Sequence, residues 1–384
     1  MSCGPRSEIE IQLPRKSRQP AQLTNGVLAL FAIAAGLSVA NIYCAQPLLD
    51  AIGHDFAISQ VSVGFIMTVT QAGYAFGLFF IVPLGDLLDR RRLVVGQLLI
   101  SVVALVAVGL APTFAVMLCA VFLVGLLAVV IQVLVAYAAT LASPEERGSV
   151  VGKVTSGVVT GILLARTVAG SLTDLAGWRS VYLVSAGLLL LMAAALWNTL
   201  PAGANPHAPR SYVQLLASIF SLWTNEPLLR IRAGLALFLF AAFNVLWTPL
   251  VLPLSSPPIS LSHTAIGSFG LVGAAGALAA ARAGRLADRG LAQWTTGTAL
   301  ILLVVSWLAI SQLHRSLVLL IPGIILLDFA VQAVHVTNQS MLFARLPEAR
   351  SRLAAIYMIF YSIGSGSGAI ASTWIYAHRG WTGV

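Results

Sequence analysis

The chain has 384 residues, 58% of them hydrophobic and only 9% charged, with a formal net charge of +9. An average soluble domain carries about 25% charged residues, and 22 basic plus 13 acidic side chains cannot cover a water-facing surface of this size. That excludes a soluble enzyme, a disordered chain and a nucleic-acid-binding domain, so the surplus apolar surface must face lipid. The three cysteines, Cys3, Cys44 and Cys119, are scattered and suggest neither a disulfide framework nor a metal site.

The first 26 residues are polar and basic and lack the pattern of a cleavable signal peptide. Apolar runs of about 20 residues then predict helical spans over 27–49, 60–82, 93–111, 114–141, 150–170 and 180–199. The stretch 200–229 (PAGANPHAPRSYVQLLASIF…) is Pro-rich and polar and reads as a linker. Five further spans follow, at 231–253, 265–283, 295–312, 317–341 and 353–376. None shows the two-residue alternation of a membrane strand. The expected class is an all-α polytopic membrane protein. Its parts are a tail (1–26), a six-helix bundle (27–199), the linker (200–229) and a second bundle (230–384).

Lys and Arg set orientation. With the N-terminus inside, 18 of the 22 bases fall on inside segments, three (Arg179, Arg315, Arg379) fall outside, and one, Arg166, falls within a span. A cytoplasmic N-terminus and a cytoplasmic linker follow, and the net charge becomes a matter of topology.

The halves repeat. GDLLDRRR (Gly85, Asp89, Arg90) follows span 2, and GRLADRG (Gly284, Asp288, Arg289) follows span 8. PEERG…GWRSVY (Pro144, Gly177, Trp178) matches PEARS…GWTGV (Pro347, Gly380, Trp381), with the same Pro-to-Trp spacing. Parallel repeats of this kind mark transporters that bind between their halves. The paired G-x-x-x-D-R loops resemble the signature of the major facilitator superfamily. Within it, ANIYCAQPLL in span 1 and the GWR after span 5 are similar to a bacterial branch near the drug:proton antiporters. The resemblance implies a pseudo-two-fold pair of six-helix bundles rocking around a central cavity. It also implies that Gly85, Asp89 and Arg90, with Gly284, Asp288 and Arg289, act as a conformational latch, Asp89 facing the start of span 11 near Ser351. Gly148, Gly157 and Gly161 match the family's antiporter motif in span 5, whereas its Pro position is Ile162 and its last glycines are Ala165 and Arg166. The repeat calls for a twelfth span after Trp381, so the expected chain holds 11 of 12 helices.

Ionisable groups are rare within the spans and, at that depth, face protein or water. Asp328 lies mid-span in span 10, on one stripe with Gln332, His335 and Gln339, and Asn338 lies beside it. Asp328 is the expected proton-coupling residue, with His335 as a relay through Gln332 or water. A structural network that only fixes span 10 is the competing account. Arg166, about four residues from the outer end of its span, either snorkels outward, pairs with Asp328 or attracts an anionic group. Asn41, Tyr43, Gln46, Gln71, Tyr74, Gln132, Asn244, Trp247, Gln332, Asn338, Tyr357 and Tyr361 are expected around a substrate cavity suited to neutral or amphipathic solutes. Pro47 is an expected kink, and GSGSG (Gly364 to Gly368) marks close packing or a bend.

No phosphate loop, metal-ligand pattern or paired-carboxylate motif occurs, so neither an enzyme nor a bound cofactor or metal is expected. The expected partners are a small-molecule substrate, protons and the bilayer, without nucleic acid or ATP, for a monomer in the bacterial inner membrane. The leading reading is a proton-coupled exporter working by alternating access. Proton-linked uptake of a small metabolite and a truncated, non-transporting remnant are the alternatives.

Overall fold

The computed structural model describes residues 24–143, 146–200, 211–274, 282–283, 285–286, 289–345 and 349–384. All regular elements among them are helical. Polar side chains start several helices by accepting an otherwise unpaired amide. Thr24 caps α1 (Asn25–Tyr43), Ser59 caps α3 (Gln60–Phe80), Asp89 caps α4 (Arg90–Gly109) and Thr113 caps α5 (Phe114–Leu127).

Pro47 acts as expected. The chain leaves α1, makes a 3-10 turn at Gln46–Leu48 and resumes as α2 (Leu49–Asp55). The second half repeats this break where α10 (Pro227–Trp247) gives way to the short α11 (Val251–Ser255). The expected span 114–141 is one apolar segment built from two helices, α5 and α6 (Val130–Leu141), with a break at Ala128 and Val129. Span 5 is longer than expected. The helix α7 (Arg147–Ala176) continues to Gly177, whose φ of 78° ends it, and Trp178 opens α8 (Trp178–Thr199). Gly380 has a φ of 62° at the equivalent point, just before Trp381, so the sequence repeat is also a backbone repeat.

The linker is not irregular throughout, as its composition suggests. Part of it, α9 (Tyr212–Asn225), is a helix that starts on a reciprocal Ser211–Gln214 capping box. Its Tyr212 hydroxyl donates to the Phe80 carbonyl (2.8 Å), and Trp223 stacks on Phe360. Then come α12 (His263–Val272), α13 (Ala292–Ile310), α14 (Leu317–Arg345) and α15 (Arg350–Gly383). Ten helical segments among the described residues are long and apolar enough to cross a membrane, at ten of the eleven expected places. The eleventh, 265–283, begins as α12, and 275–281 lie outside the described residues. The surface fits this reading: Leu175 is 82% exposed, Phe238 74% and Val304 70%, large apolar side chains that water would not accommodate in such numbers.

Among the described residues two helix pairs make the largest contacts between the halves, α3 against α15 and α7 against α12. Small residues allow the closest approaches within and between the halves. A Cβ on Gly157 would lie 2.2 Å from the Ala32 carbonyl oxygen of α1, and one on Gly364 would lie 2.0 Å from that of Leu237 on α10. Gly157 and Gly161 of span 5 and the GSGSG stretch are therefore packing sites, whereas Gly148 has open space around it.

Candidate transport site between the two halves

Arg166 does not snorkel. It is the twentieth residue of α7 and ten residues from the helix end, about 15 Å inward at 1.5 Å per residue. Only 3% of it is exposed. Its Nε donates to Gln46 Oε1 (2.7 Å), and Gln46 Nε2 donates to Asn244 Oδ1 (3.4 Å). Its guanidinium lies over the Trp247 ring, 3.9 Å from the centroid, with Tyr43 and Phe243 at 5.5 and 5.8 Å. Cation–π contact is strongest on tryptophan and in a dry site. The Trp247 Nε1–H then donates to Asp328 Oδ1 (3.1 Å). Trp247 thus joins the two buried charges, its face under Arg166 and its edge on Asp328. Among the described residues Arg166 and Asp328 form no ion pair within hydrogen-bonding range, and Arg166 Nη2 has no partner.

Three glycines, Gly267 and Gly270 of α12 and Gly273 at its end, make room for this arrangement. A Cβ on Gly267 would sit 2.2 Å from the Arg166 carbonyl oxygen, and one on Gly270 3.0 Å from the Arg166 Cβ. A Cβ on Gly273 would sit 2.4 Å from Asp328 Oδ2. The sequence signal for them is their three-residue spacing, which places them on one helix face but matches no family motif named for span 5.

The expected route from Asp328 to His335 through Gln332 is not formed. Gln332 is half-buried without a described hydrogen bond, and Asp328 turns to Trp247. His335 Nδ1 instead pairs with the Tyr357 hydroxyl (3.0 Å), which also accepts from Asn338 Nδ2 (3.4 Å). Asn338 Oδ1 accepts from Arg232 Nη1 (3.0 Å), which also reaches Thr296 Oγ1 (3.2 Å). In the sequence Arg232 counts among the topological charges, because it lies only six residues into α10. It is 3% exposed, a second buried guanidinium with no carboxylate partner among the described residues. Between these groups, Tyr43 and Tyr361 share a hydroxyl–hydroxyl hydrogen bond across the halves, and Phe240 packs on both Tyr361 and His335.

Other expected cavity residues lie apart. Gln132 Nε2 donates to the Tyr74 hydroxyl (3.4 Å). Gln71 is buried at the α3–α15 contact, and among the described residues neither of its amide atoms has a hydrogen-bond partner. Asn41 lines a cavity of about 10 Å³ with Ser38 and Ser101, inside the first half and away from Arg166.

In the first G-x-x-x-D-R loop, Asp89 accepts from the amide of Arg92 (2.8 Å) and so caps its own helix. Arg90 bonds to the Gly85 carbonyl (3.0 Å) and Thr140 Oγ1 (2.9 Å), fixing α4 on α6. Span 11 starts close to the expected Ser351: Ala349 is the N-cap of α15 and makes no side-chain bond. Gly284 and Asp288 of the second loop lie outside the described residues, and Arg289 is exposed.

Residues 31–291 match the Major Facilitator Superfamily. The chain belongs to that superfamily. It is 48% identical to the transporter YgaY of Escherichia coli O157:H7 over 363 residues, covering 94% of this chain and 92% of YgaY. It is 25% identical to the inner membrane transport protein YnfM of Escherichia coli K12, over 96% of this chain and 88% of YnfM. Among solved structures, a bacterial homolog of the human lysosomal transporter Spinster, inward-facing and unoccupied, superposes with a TM-score of 0.77 at 17% identity. That match covers 92% of this chain and 82% of the other. The superfamily fold and a membrane-transporter function follow.

Proposed function

We propose that this transporter is a proton-coupled exporter of small amphipathic molecules in the bacterial inner membrane. Its N-terminus is then cytoplasmic, and halves 27–199 and 230–384 alternate around the site as a monomer. One observation carries the reading: the Asp328 carboxylate is buried between the halves within reach of Trp247 and the Arg166 charge. A carboxylate held at that depth is a group whose protonation changes the charge of the whole site. The ring of Tyr43, Phe240, Phe243, Trp247 and Tyr361 supports an amphipathic substrate, because such rings present flat apolar faces with polar edges. His335 and Tyr357 extend the polar route toward the cytoplasmic ends of α14 and α15. Arg90, anchored on α6, is the assigned latch residue of the first half, with Arg289 its counterpart in the second.

Reconstitution tests this. In proteoliposomes with an imposed pH gradient, the native protein drives uphill movement of a lipophilic fluorescent dye, and Asp328→Asn loses it while dye counterflow persists. Undiminished uphill transport by Asp328→Asn overturns the reading. In cells, export lowers dye accumulation and a protonophore restores it; uptake gives the opposite sign.

A further inference from the structure

A second charged cluster joins the halves at the opposite end of the α7–α12 pair from the latch loops. Asp174, near the end of α7, accepts from the amides of His263 (3.1 Å) and Thr264 (2.8 Å) and from Thr264 Oγ1 (2.6 Å). A carboxylate of one half therefore satisfies the first amides of a helix in the other half, where the helix dipole favours a negative charge. Gly170 admits this contact, since a Cβ there would sit 2.1 Å from the His263 carbonyl oxygen. The His263 ring lies between two acids: Nδ1 is 3.0 Å from Asp174 Oδ1, and Nε2 is 3.1 Å from Asp50 Oδ1 on α2.

A neutral imidazole has one N–H and one lone pair. It can donate to one of these carboxylates, and its lone pair then faces the other. Only the imidazolium donates to both. The remaining charged groups nearby are otherwise engaged. Asp55 of α2 is paired with Arg179 of α8, Arg166 of α7 is held by Gln46, and Asp328 of α14 meets α12 about three turns further in, at Gly273. His54 is exposed, and neither α11 nor the turn at Gln46–Leu48 carries an ionisable side chain.

We infer that His263 is a second proton-binding site of the transport cycle, separate from Asp328. A proton on it clamps Asp50 and Asp174 of one half to α12 of the other and so holds this face shut. On the orientation proposed above, that face is the outer one. The side chains of Asp50, His263 and Asp174 remain 21%, 22% and 28% exposed, so the ring exchanges protons with outside water while the face is closed. Burial works against the charged ring, but the bond to Asp50 outweighs it and raises the His263 pKa above the ordinary imidazole value. External acid then favours closure, and loss of the proton leaves one carboxylate facing a lone pair and releases the face.

The test measures the face directly. Spin labels at Leu175→Cys and Ser255→Cys, in full-length protein with Cys3, Cys44 and Cys119 replaced by Ser, report the distance across it by double electron–electron resonance in nanodiscs. With His263 present, the short-distance population rises several-fold between pH 8.5 and pH 5.5. In His263→Gln it is the same at both pH values and lower than that at pH 5.5. In His263→Lys, which keeps a charge, it stays high at both. Asp328→Asn, made on the same background, retains the pH shift even if the central site has no coupling role. A shift that survives His263→Gln, or no shift with His263 present, overturns the proposal.

Discussion

The helix α7 contributes to two groupings of acid and base, eight residues apart along it and about 12 Å along its axis. They are built in opposite ways. At the outer one, Asp174 and His263 touch directly and water reaches both. At the inner one, Arg166 and Asp328 are 3% and 6% exposed, and Trp247 stands between them as a neutral bridge. Where solvent screens charge, a direct pair costs little and can exchange its proton. In a dry site the protein spreads each charge over rings and amides instead, and among the described residues Arg166 Nη2 has no hydrogen-bond partner.

The largest way to break this contrast is at the inner site. Asp328→Asn should lose gradient-driven transport altogether while the protein remains folded. Next is Trp247→Phe, which keeps a ring beneath Arg166 and deletes the bond to Asp328. Hydrogen bonds to charged groups contribute about 1.5–3 kcal/mol, so transport in the same proteoliposomes should fall roughly ten- to hundred-fold by that measure. An unchanged rate would show that the indole N–H does no more than pack.

At the outer site the expected effect is a pH dependence. The raised pKa of His263 means that its contribution to closure is complete below the ordinary imidazole pKa and is lost as pH rises through the latched value. His263→Gln should flatten that dependence, as the distance measurement reads. Gly267→Ala tests the contact that both sites share. Its Cβ would meet the Arg166 carbonyl oxygen at 2.2 Å, and overpacking of this kind costs about 1–3 kcal/mol. A lowered melting temperature in detergent checks it. The smallest effect belongs to the first G-x-x-x-D-R loop. Asp89→Ala removes the cap of α4, a loss of about 1 kcal/mol, read in the same melt. A much larger loss would mean that Asp89 does more than cap its helix.

Much of the site is legible in the amino-acid sequence. Asp328 and Arg166 stand out because charges are rare in apolar spans, and Tyr43, Gln46, Trp247 and Tyr361 because polar or aromatic groups there must face protein. The same rule also points to Asn41, which is buried and lines a small cavity inside the first half with Ser38 and Ser101. It also hides Arg232, since a base near a helix start is indistinguishable from a topological charge until its neighbours Thr296 and Asn338 are known. The linker helix is visible in Ser211 and Gln214 but is masked by the prolines that precede it.

By itself the sequence determined the membrane class, ten of the spans, the break at Pro47 and the repeat that names the superfamily. These depend on hydropathy, helical period and turn chemistry, which act over a few residues. Only the tertiary structure decided that Trp247 bridges Arg166 and Asp328, that His335 turns to Tyr357, and that His263 sits between Asp50 and Asp174. The decisive pairs lie 81, 120 and 89 residues apart, as Trp247–Asp328, Gln46–Arg166 and Asp174–His263. Helical period fixes which residues share a face, but only tertiary contacts such as the glycine-lined one between α7 and α12 fix which faces meet.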